Sequence, residues 1–191
     1  VDAGFAFVES VAKEIAASGR EVPIFLMTYA SLIYARGIET FMRDGRSSGA
    51  TGYILPDIPV DYDEGVWDAA AATGSLLMPV TVTTAAEERM DLIAAKKPEY
   101  TYVALRRGIT GTRTEVGKEN VAVLDRLAAS GTRVMAGFGI TDRDQVRALE
   151  PHVHACVVGS ALVRTVAEHQ GEAPSVVQAA TSARMQTLLV D

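Results

Sequence analysis

The stretch VMAGFGITD, residues 134–142, decides the fold class. An apolar, strand-like run reaches Gly-Phe-Gly, and residues typical of a helix start follow at once. About twenty residues later, ACVVGSALV (155–163) repeats the order of apolar run, glycine, hydroxyl residue and helix. Glycine lets backbone N–H groups approach an anion closely, and a helix start attracts one. We therefore expect these two junctions to hold one phosphate together.

Apolar runs alternate with amphipathic stretches along the whole chain. The runs are continuous, as in parallel strands that are buried on both faces. The predicted strands are 23–30, 52–58, 76–82, 100–106, 133–139 and 154–160. The predicted helices are 7–17, 35–48, 64–73, 86–95, 118–130, 143–149, 161–169 and 175–189. We expect a capping box at residues 141–144, and Ser160 to cap the helix that follows it.

Six successive βα units predict an α/β fold with a parallel sheet, either a closed barrel or an open doubly wound sheet. A (βα)8 TIM barrel typically needs about 250 residues, and this chain has 191 and opens on a helix. The simplest interpretation is a single TIM-barrel domain over residues 1–191. Six units, strands 3–8, are present in this chain, and the first two are absent from the sequence given.

The composition excludes several classes of function. The net charge of −6 argues against non-specific nucleic-acid binding, which needs a basic face. No apolar run approaches 18 residues, and the opening residues do not form a signal peptide, so we expect no membrane attachment. The single Cys156 allows no internal disulfide and fits a cytoplasmic protein. Its apolar surroundings predict a buried, inert thiol.

The loops after the last two strands resemble the phosphate site of many barrel enzymes. In (βα)8 enzymes, phosphate often lies between the loops after strands 7 and 8 and the start of a short extra helix. Gly137, Phe138 and Gly139 end the penultimate strand, and Gly159 and Ser160 end the last. The alternative is that these glycines only make tight turns. The loop RRGITGTRTEVG (106–117) is a candidate lid, or an ordinary surface loop.

Four motifs resemble the α subunit of tryptophan synthase. They are PDIP (56–59), YTYVALRRGITG (100–111), AGFGI (136–140) and VVGSALV (157–163). The resemblance implies a barrel that cleaves indole-3-glycerol phosphate to indole and glyceraldehyde 3-phosphate in tryptophan biosynthesis. It also implies a heterotetramer in which indole passes to a β subunit. The pyridoxal phosphate belongs to that β subunit, and no cofactor is expected in this one.

The resemblance also assigns roles to individual residues. It places Tyr102 beside the reacting bond as an accessory group and Thr110 in the lid. Asp57 and Pro59 match the loop that docks on the β subunit. The pocket around the indole would contain Met27, Tyr29, Ile54 and Phe138. The residues that would hold the phosphate are Gly111, Gly137, Phe138, Gly139, Gly159 and Ser160.

The chain departs from the family pattern in two places. Leu105 stands where the family usually has a serine before the lid arginine. The motif ELGxPFSDPxADG, which carries the family's acid/base Glu and is followed by its partner Asp, does not occur in the 191 residues. From the residues alone, Asp57 would be the candidate base, because it is the only carboxylate at the carboxyl end of a predicted strand. The resemblance instead makes it a subunit-contact residue.

Three functions remain open at this point. The first is a lyase, the α subunit itself. The second is a non-catalytic, truncated paralogue that binds phosphate and a partner subunit. The third is another phosphate-binding barrel enzyme, such as an isomerase or synthase of histidine or thiamine metabolism. A metal enzyme is disfavoured, because His152 and His154 precede the last strand at its amino end and no third ligand is evident.

Overall fold

A computed structural model describes residues 1–105 and 117–189, and contacts divide the chain into two compact units. The first unit comprises Val1–Val80 and Asp91–Tyr100, and the second comprises Thr81–Met90 and Thr101–Asp191. The strands are β1 (Phe25–Met27), β2 (Gly52–Ile54), β3 (Leu76–Met78), β4 (Val80–Val82), β5 (Tyr100–Ala104), β6 (Arg133–Gly137) and β7 (Ala155–Val157).

Helices follow most of these strands, as the sequence predicts. They are α1 (Asp2–Ala17), α2 (Ala30–Arg36), α3 (Ile38–Ser47), α4 (Val66–Ala72), α5 (Glu87–Ala95), α6 (Lys118–Ala129), α7 (Arg143–Leu149), α8 (Ser160–Glu168) and α9 (Pro174–Gln186). A short 3-10 helix, Glu150–His152, follows α7. No helix within residues 1–105 and 117–189 is long and apolar enough to span a membrane.

The strands form two sheets, with the orders β1-β2-β3 and β4-β5-β6-β7. The pairs β1·β2, β2·β3 and β6·β7 are parallel. All six predicted strands are present, but the third is divided into β3 and β4 at Pro79. Proline has no N–H to donate to a neighbouring strand, so it interrupts the ladder at that point.

The core of the first unit is built around three aromatic rings. The ring centroids of Phe5 and Phe41 lie 5.1 Å apart, and those of Phe41 and Tyr53 lie 5.8 Å apart. Tyr53 on β2 is fully buried, and its hydroxyl donates to the Met42 carbonyl at 2.9 Å. The same hydroxyl fills the space where a side chain on Gly45 would lie. Helices α1 and α3 are thereby fixed against β2.

The core of the second unit lies between β6 and its helices. Buried side chains on α6, β6 and α7 supply it: Leu124, Leu127, Val134, Ala136 and Leu149. At the amino ends of β5 and β6, the buried hydroxyls of Thr101 and Thr132 lie 2.9 Å apart and share a hydrogen bond. A polar pair of this kind is stable in a core because each hydroxyl satisfies the other.

Three local predictions were wrong. Helix α2 begins at Ala30, inside the run predicted as the end of the first strand. The capping box lies one residue later than expected, with Asp142 as N-cap and Gln145 as its partner. Ser160 does not cap α8; it is the first residue of that helix, and Gly159 is the N-cap. That the chain is a single domain remains a prediction.

Candidate functional site

The carboxyl ends of β6 and β7 lie side by side. The register pairs Ala136 with Cys156 and Gly137 with Val157, so the two strands finish at the same edge of the sheet. The turn 138–139 follows β6, and Gly159 and α8 follow β7. The two junctions predicted to share a phosphate are therefore neighbours.

The turn after β6 has an unusual backbone. Phe138 and Gly139 have φ angles of 77° and 80°, two successive residues in the left-handed region. Glycine adopts this conformation freely, whereas a residue with a Cβ incurs a cost of about 1–2 kcal/mol. Non-glycine residues held this way concentrate at ligand-binding sites.

Gly137 is glycine for a different reason, which is its close approach to Tyr102. A Cβ at this position would collide with the Tyr102 hydroxyl and lie 3.0 Å from the Val157 Cβ. Tyr102 is buried on β5, and its ring meets the Phe138 ring edge-on with the centroids 6.0 Å apart. The Leu105 N–H donates to the Gly137 carbonyl at 2.9 Å. The end of β6 is thus packed tightly against β5.

Burial raises the pKa of Tyr102 to about 12. The phenol therefore keeps its proton at neutral pH. It can donate a hydrogen bond, but it cannot act as a general base.

We expect the free energy of unfolding to fall as the pH rises from 10 to 12. Burial raises the pKa of both Tyr53 and Tyr102 to about 12, whereas an unfolded tyrosine titrates near 10. In that window the folded protein holds protons that the unfolded chain has released. Stability is therefore complete below pH 10 and is lost as the pH rises through 12. Each tyrosine contributes up to about 1.4 kcal/mol per pH unit.

Urea unfolding at pH 9, 10 and 11 measures this slope. Tyr102→Phe removes one of the two tyrosines, so the free energy of unfolding of this variant should fall less steeply with pH. An unchanged slope in that variant would contradict the shifted pKa of Tyr102.

The start of α8 is open to an anion. Its N-cap, Gly159, has no side chain, and the described residues form no side-chain cap hydrogen bond at this helix end. A Cβ at position 159 would have no atom of the described structure within 4 Å. The first N–H groups of an α-helix have no partner within the helix, and they point toward its positive dipole end. This end of α8 can therefore accept a phosphate.

The predicted pocket residues of the first unit also lie together. Met27 and Ile54 are register partners at the carboxyl ends of β1 and β2, and the Thr28 N–H donates to the Ile54 carbonyl. Met27 and Tyr29 are 55% and 64% exposed. The structure thus groups Met27, Tyr29 and Ile54 at one edge of the first sheet.

Asp57 holds the start of α2. Its two carboxylate oxygens accept from the Ala30 N–H at 3.1 and 3.0 Å, although 27 residues separate them in sequence. Ala30 is the first residue of α2 and follows the exposed Tyr29. Pro56, Asp57 and Pro59 are exposed, whereas Ile58 packs against the core. The loop 56–59 is therefore exposed at three of its residues and packed against the core at Ile58.

We expect Asp57→Ala to destabilise the protein by about 1 kcal/mol, because the Ala30 N–H loses its acceptor at a helix start. Asp57→Asn is the matched control, since its amide oxygen can still accept that bond. Urea unfolding of the two variants measures the difference. Equal stabilities of the Asn and Ala variants would show that the contact does not hold the helix.

Thr110 and Gly111 lie outside the described residues. Leu105, at the departure from the family pattern, is buried. Cys156 is half-buried rather than buried, and its burial raises the pKa of the thiol. His152 is hydrogen-bonded to Asp125 at 2.7 Å. Within residues 1–105 and 117–189, no group of three or more His, Cys, Asp or Glu is placed to hold a metal.

Two residues that hydrogen-bond to the turn after β6, Gln145 and Arg184, are not among the site residues that the sequence predicts. Gln145 contacts the backbone of Gly139, Thr141 and Asp142. Arg184 on α9 donates to the Thr141 carbonyl at 2.6 Å. A glutamine three residues after a helix N-cap is a visible signal, but it indicates only a capping box.

Comparison with known proteins decides the family. The model of the family described as tryptophan synthase alpha chain matches residues 5–189. The chain belongs to this family. The relatives below agree with that assignment.

Among tryptophan synthase alpha chains, that of Synechocystis sp. is 32% identical over 170 residues, which cover 88% of this chain and 62% of the relative. That of Opitutus terrae is 34% identical over 154 residues, which cover 79% of this chain and 57% of the relative. The chain thus spans about 60% of the length of these alpha chains.

Solved structures of tryptophan synthase share the fold. A chain of the α2β2 complex from the hyperthermophile Pyrococcus furiosus has a TM-score of 0.80 and 27% identity, and the match covers 95% of this chain and 72% of that one. A chain of the Mycobacterium tuberculosis enzyme has a TM-score of 0.76 at 21% identity, and the match covers 98% and 67%. The predicted α/β class and TIM-barrel fold are confirmed.

Proposed function

We propose that this member of the tryptophan synthase alpha chain family cleaves indole-3-glycerol phosphate to indole and glyceraldehyde 3-phosphate. The observation that carries the proposal is the pair of junctions after β6 and β7, which meet at one sheet edge beside an uncapped helix start. Membership of the family supports the choice of substrate.

The phosphate group is bound at that edge. Backbone N–H groups around Gly139 and at the start of α8, together with the Ser160 hydroxyl, are the donors. The family motifs also assign Gly111 to phosphate binding and Thr110 to the lid. The residues of the first unit that contact the indole are Met27, Tyr29 and Ile54. These assignments follow the family motifs residue by residue.

The cleavage is a retro-aldol reaction. The bond between indole C3 and C3′ of the glycerol chain breaks, C3 gains a proton and the C3′ hydroxyl loses one, so that an aldehyde forms. Proton transfers of this kind need positioned acid and base groups. Tyr102, whose proton is retained to high pH, donates a hydrogen bond near the reacting atoms as an accessory group.

We propose the tryptophan synthase β subunit as the partner, docked on the exposed face of the loop 56–59 through Asp57 and Pro59. Pyridoxal phosphate belongs to that subunit, this chain requires no cofactor, and the assembly is a cytoplasmic heterotetramer. The family of the chain and its relation to α2β2 complexes support this assignment.

The decisive experiment is an assay of the purified protein with indole-3-glycerol phosphate, with and without a tryptophan synthase β subunit. We expect release of glyceraldehyde 3-phosphate, increased by the β subunit. Absence of product under both conditions would refute the lyase function. The intact mass of the purified polypeptide, compared with 20.3 kDa for the 191 residues, shows whether the assayed protein contains further residues.

A second candidate is a non-catalytic partner that binds phosphate and a β subunit. Phosphate binding and a change in β-subunit activity, without cleavage of indole-3-glycerol phosphate, would support this candidate instead.

A further inference from the structure

Gln145, the third residue of α7, is a buried side chain that hydrogen-bonds to the turn after β6. It is 5% exposed. Its amide oxygen accepts from the Thr141 N–H at 2.7 Å and from the Asp142 N–H at 3.2 Å. Its amide nitrogen donates to the Gly139 carbonyl at 2.9 Å. The Gln145 side chain thus forms hydrogen bonds with the backbone of three residues, 139, 141 and 142, and connects them to α7.

The two ends of the amide have different roles. The oxygen completes the capping box with Asp142, whose carboxylate accepts from the Gln145 N–H at 3.0 Å. The nitrogen does not take part in the capping box and instead reaches back six residues to Gly139. Glutamate is equally suited to a capping box, but only glutamine also supplies a donor at neutral pH.

The Gly139 carbonyl belongs to the left-handed pair formed by Phe138 and Gly139. This pair is costly in isolation, because the surrounding structure must stabilise the positive φ of Phe138. Its geometry decides the direction of the N–H groups that follow Gly137. A second contact also holds the turn, because Arg184 donates to the Thr141 carbonyl.

We propose that Gln145 is the positioning residue of the phosphate site, acting through the Gly139 carbonyl to hold the turn 137–141 in its anion-binding conformation. Gln145 does not touch the ligand. This inference rests on the proposed function, because it assumes that the turn binds phosphate.

The primary variant is Gln145→Met, which is similar in length and uncharged but can neither donate to Gly139 nor accept from residues 141 and 142. We expect its Kd for inorganic phosphate, measured by NMR titration, to rise about tenfold relative to the unaltered protein. Gln145→Glu retains the accepting oxygen and the capping box, and should therefore fold. It lacks the donor to Gly139, and its Kd should also rise at least tenfold.

Thr132→Val is the matched control for stability. It removes one partner of the buried Thr101–Thr132 hydrogen bond at the opposite end of the strands. We expect it to lower the Tm as the Gln145 variants do, while its Kd for phosphate stays within twofold of the unaltered protein. A merely structural role of Gln145 would give the Gln145 variants the same pattern as this control.

The outcomes separate the two proposals. If the unaltered protein binds phosphate and both Gln145 variants bind it equally well, the positioning role is refuted and the proposed function stands. If the unaltered protein does not bind inorganic phosphate, the phosphate site itself is refuted, and the positioning role is refuted with it. A tenfold rise in Kd in both variants, absent in Thr132→Val, supports the positioning role.

Discussion

Replacing Gly159 by aspartate is expected to stabilise the protein and at the same time to abolish phosphate binding. Aspartate is among the best N-cap residues, and a negative charge is favourable at the start of a helix, so α8 should gain about 0.5–1 kcal/mol. The side chain has room, because no atom of the described structure lies within 4 Å of a Cβ at this position, and φ of Gly159 is −117°. The same carboxylate would occupy the helix N–H groups and repel a phosphate dianion.

We expect the Kd for inorganic phosphate to rise at least about 100-fold, since both the donors and the favourable electrostatic potential are lost. Urea unfolding and NMR titration measure the two effects. Gly159→Asn is the matched control: it caps the helix without a charge and should weaken phosphate binding less than Asp does. Phosphate binding by Gly159→Asp at the original affinity would exclude this helix start as part of the site.

Gly137→Ala is expected to destabilise the protein by about 2–3 kcal/mol, the usual scale for forcing an extra carbon into a packed site. The added Cβ would meet the Tyr102 hydroxyl and the Val157 Cβ, and neither β5 nor β7 can move without disturbing its sheet. Because the turn begins at this residue, phosphate affinity should fall as well.

The double variant Gly137→Ala/Tyr102→Phe tests the cause. Removing the hydroxyl takes away the closest of the predicted contacts and leaves those with the ring carbon and Val157, so about half of the lost stability should return. Urea unfolding of the two single variants and the double variant gives the coupling energy. A coupling energy of zero would show that Tyr102 is not the reason for glycine at position 137.

The sequence predicted the positions of the strands because each one lies in a continuous apolar run ended by glycine or by polar residues. It also located the junctions after β6 and β7, since residues 137–139 and 159–160 carry a local signal. The start of helix α2 is not predicted, because Ala30 also fits the end of the apolar run 23–30. Pro79 lies inside the apolar run 76–82, so the pattern predicts one strand where the structure has two.

Contacts between distant residues could not be predicted in this way. The reason for glycine at 137 lies on β5, in the hydroxyl of Tyr102. The acceptor for the first N–H of α2 is a carboxylate 27 residues away. The local pattern around Gln145 indicates only a capping role. It does not indicate that the amide nitrogen of this side chain donates to the Gly139 carbonyl. In each case the signal depends on the spatial neighbourhood and not on the spacing of residues along the chain.

The bond between Asp57 and the Ala30 N–H also gives the protein a natural spectroscopic reporter. The acceptor lies on the exposed loop 56–59, whereas the donor is a single amide next to Tyr29, on a different segment of the first unit. Any molecule that draws the Asp57 carboxylate away leaves that amide without its acceptor, so its exchange with deuterium accelerates. The exchange rate of the Ala30 amide proton therefore reports whether a partner is bound to the loop 56–59, and the partner needs no label.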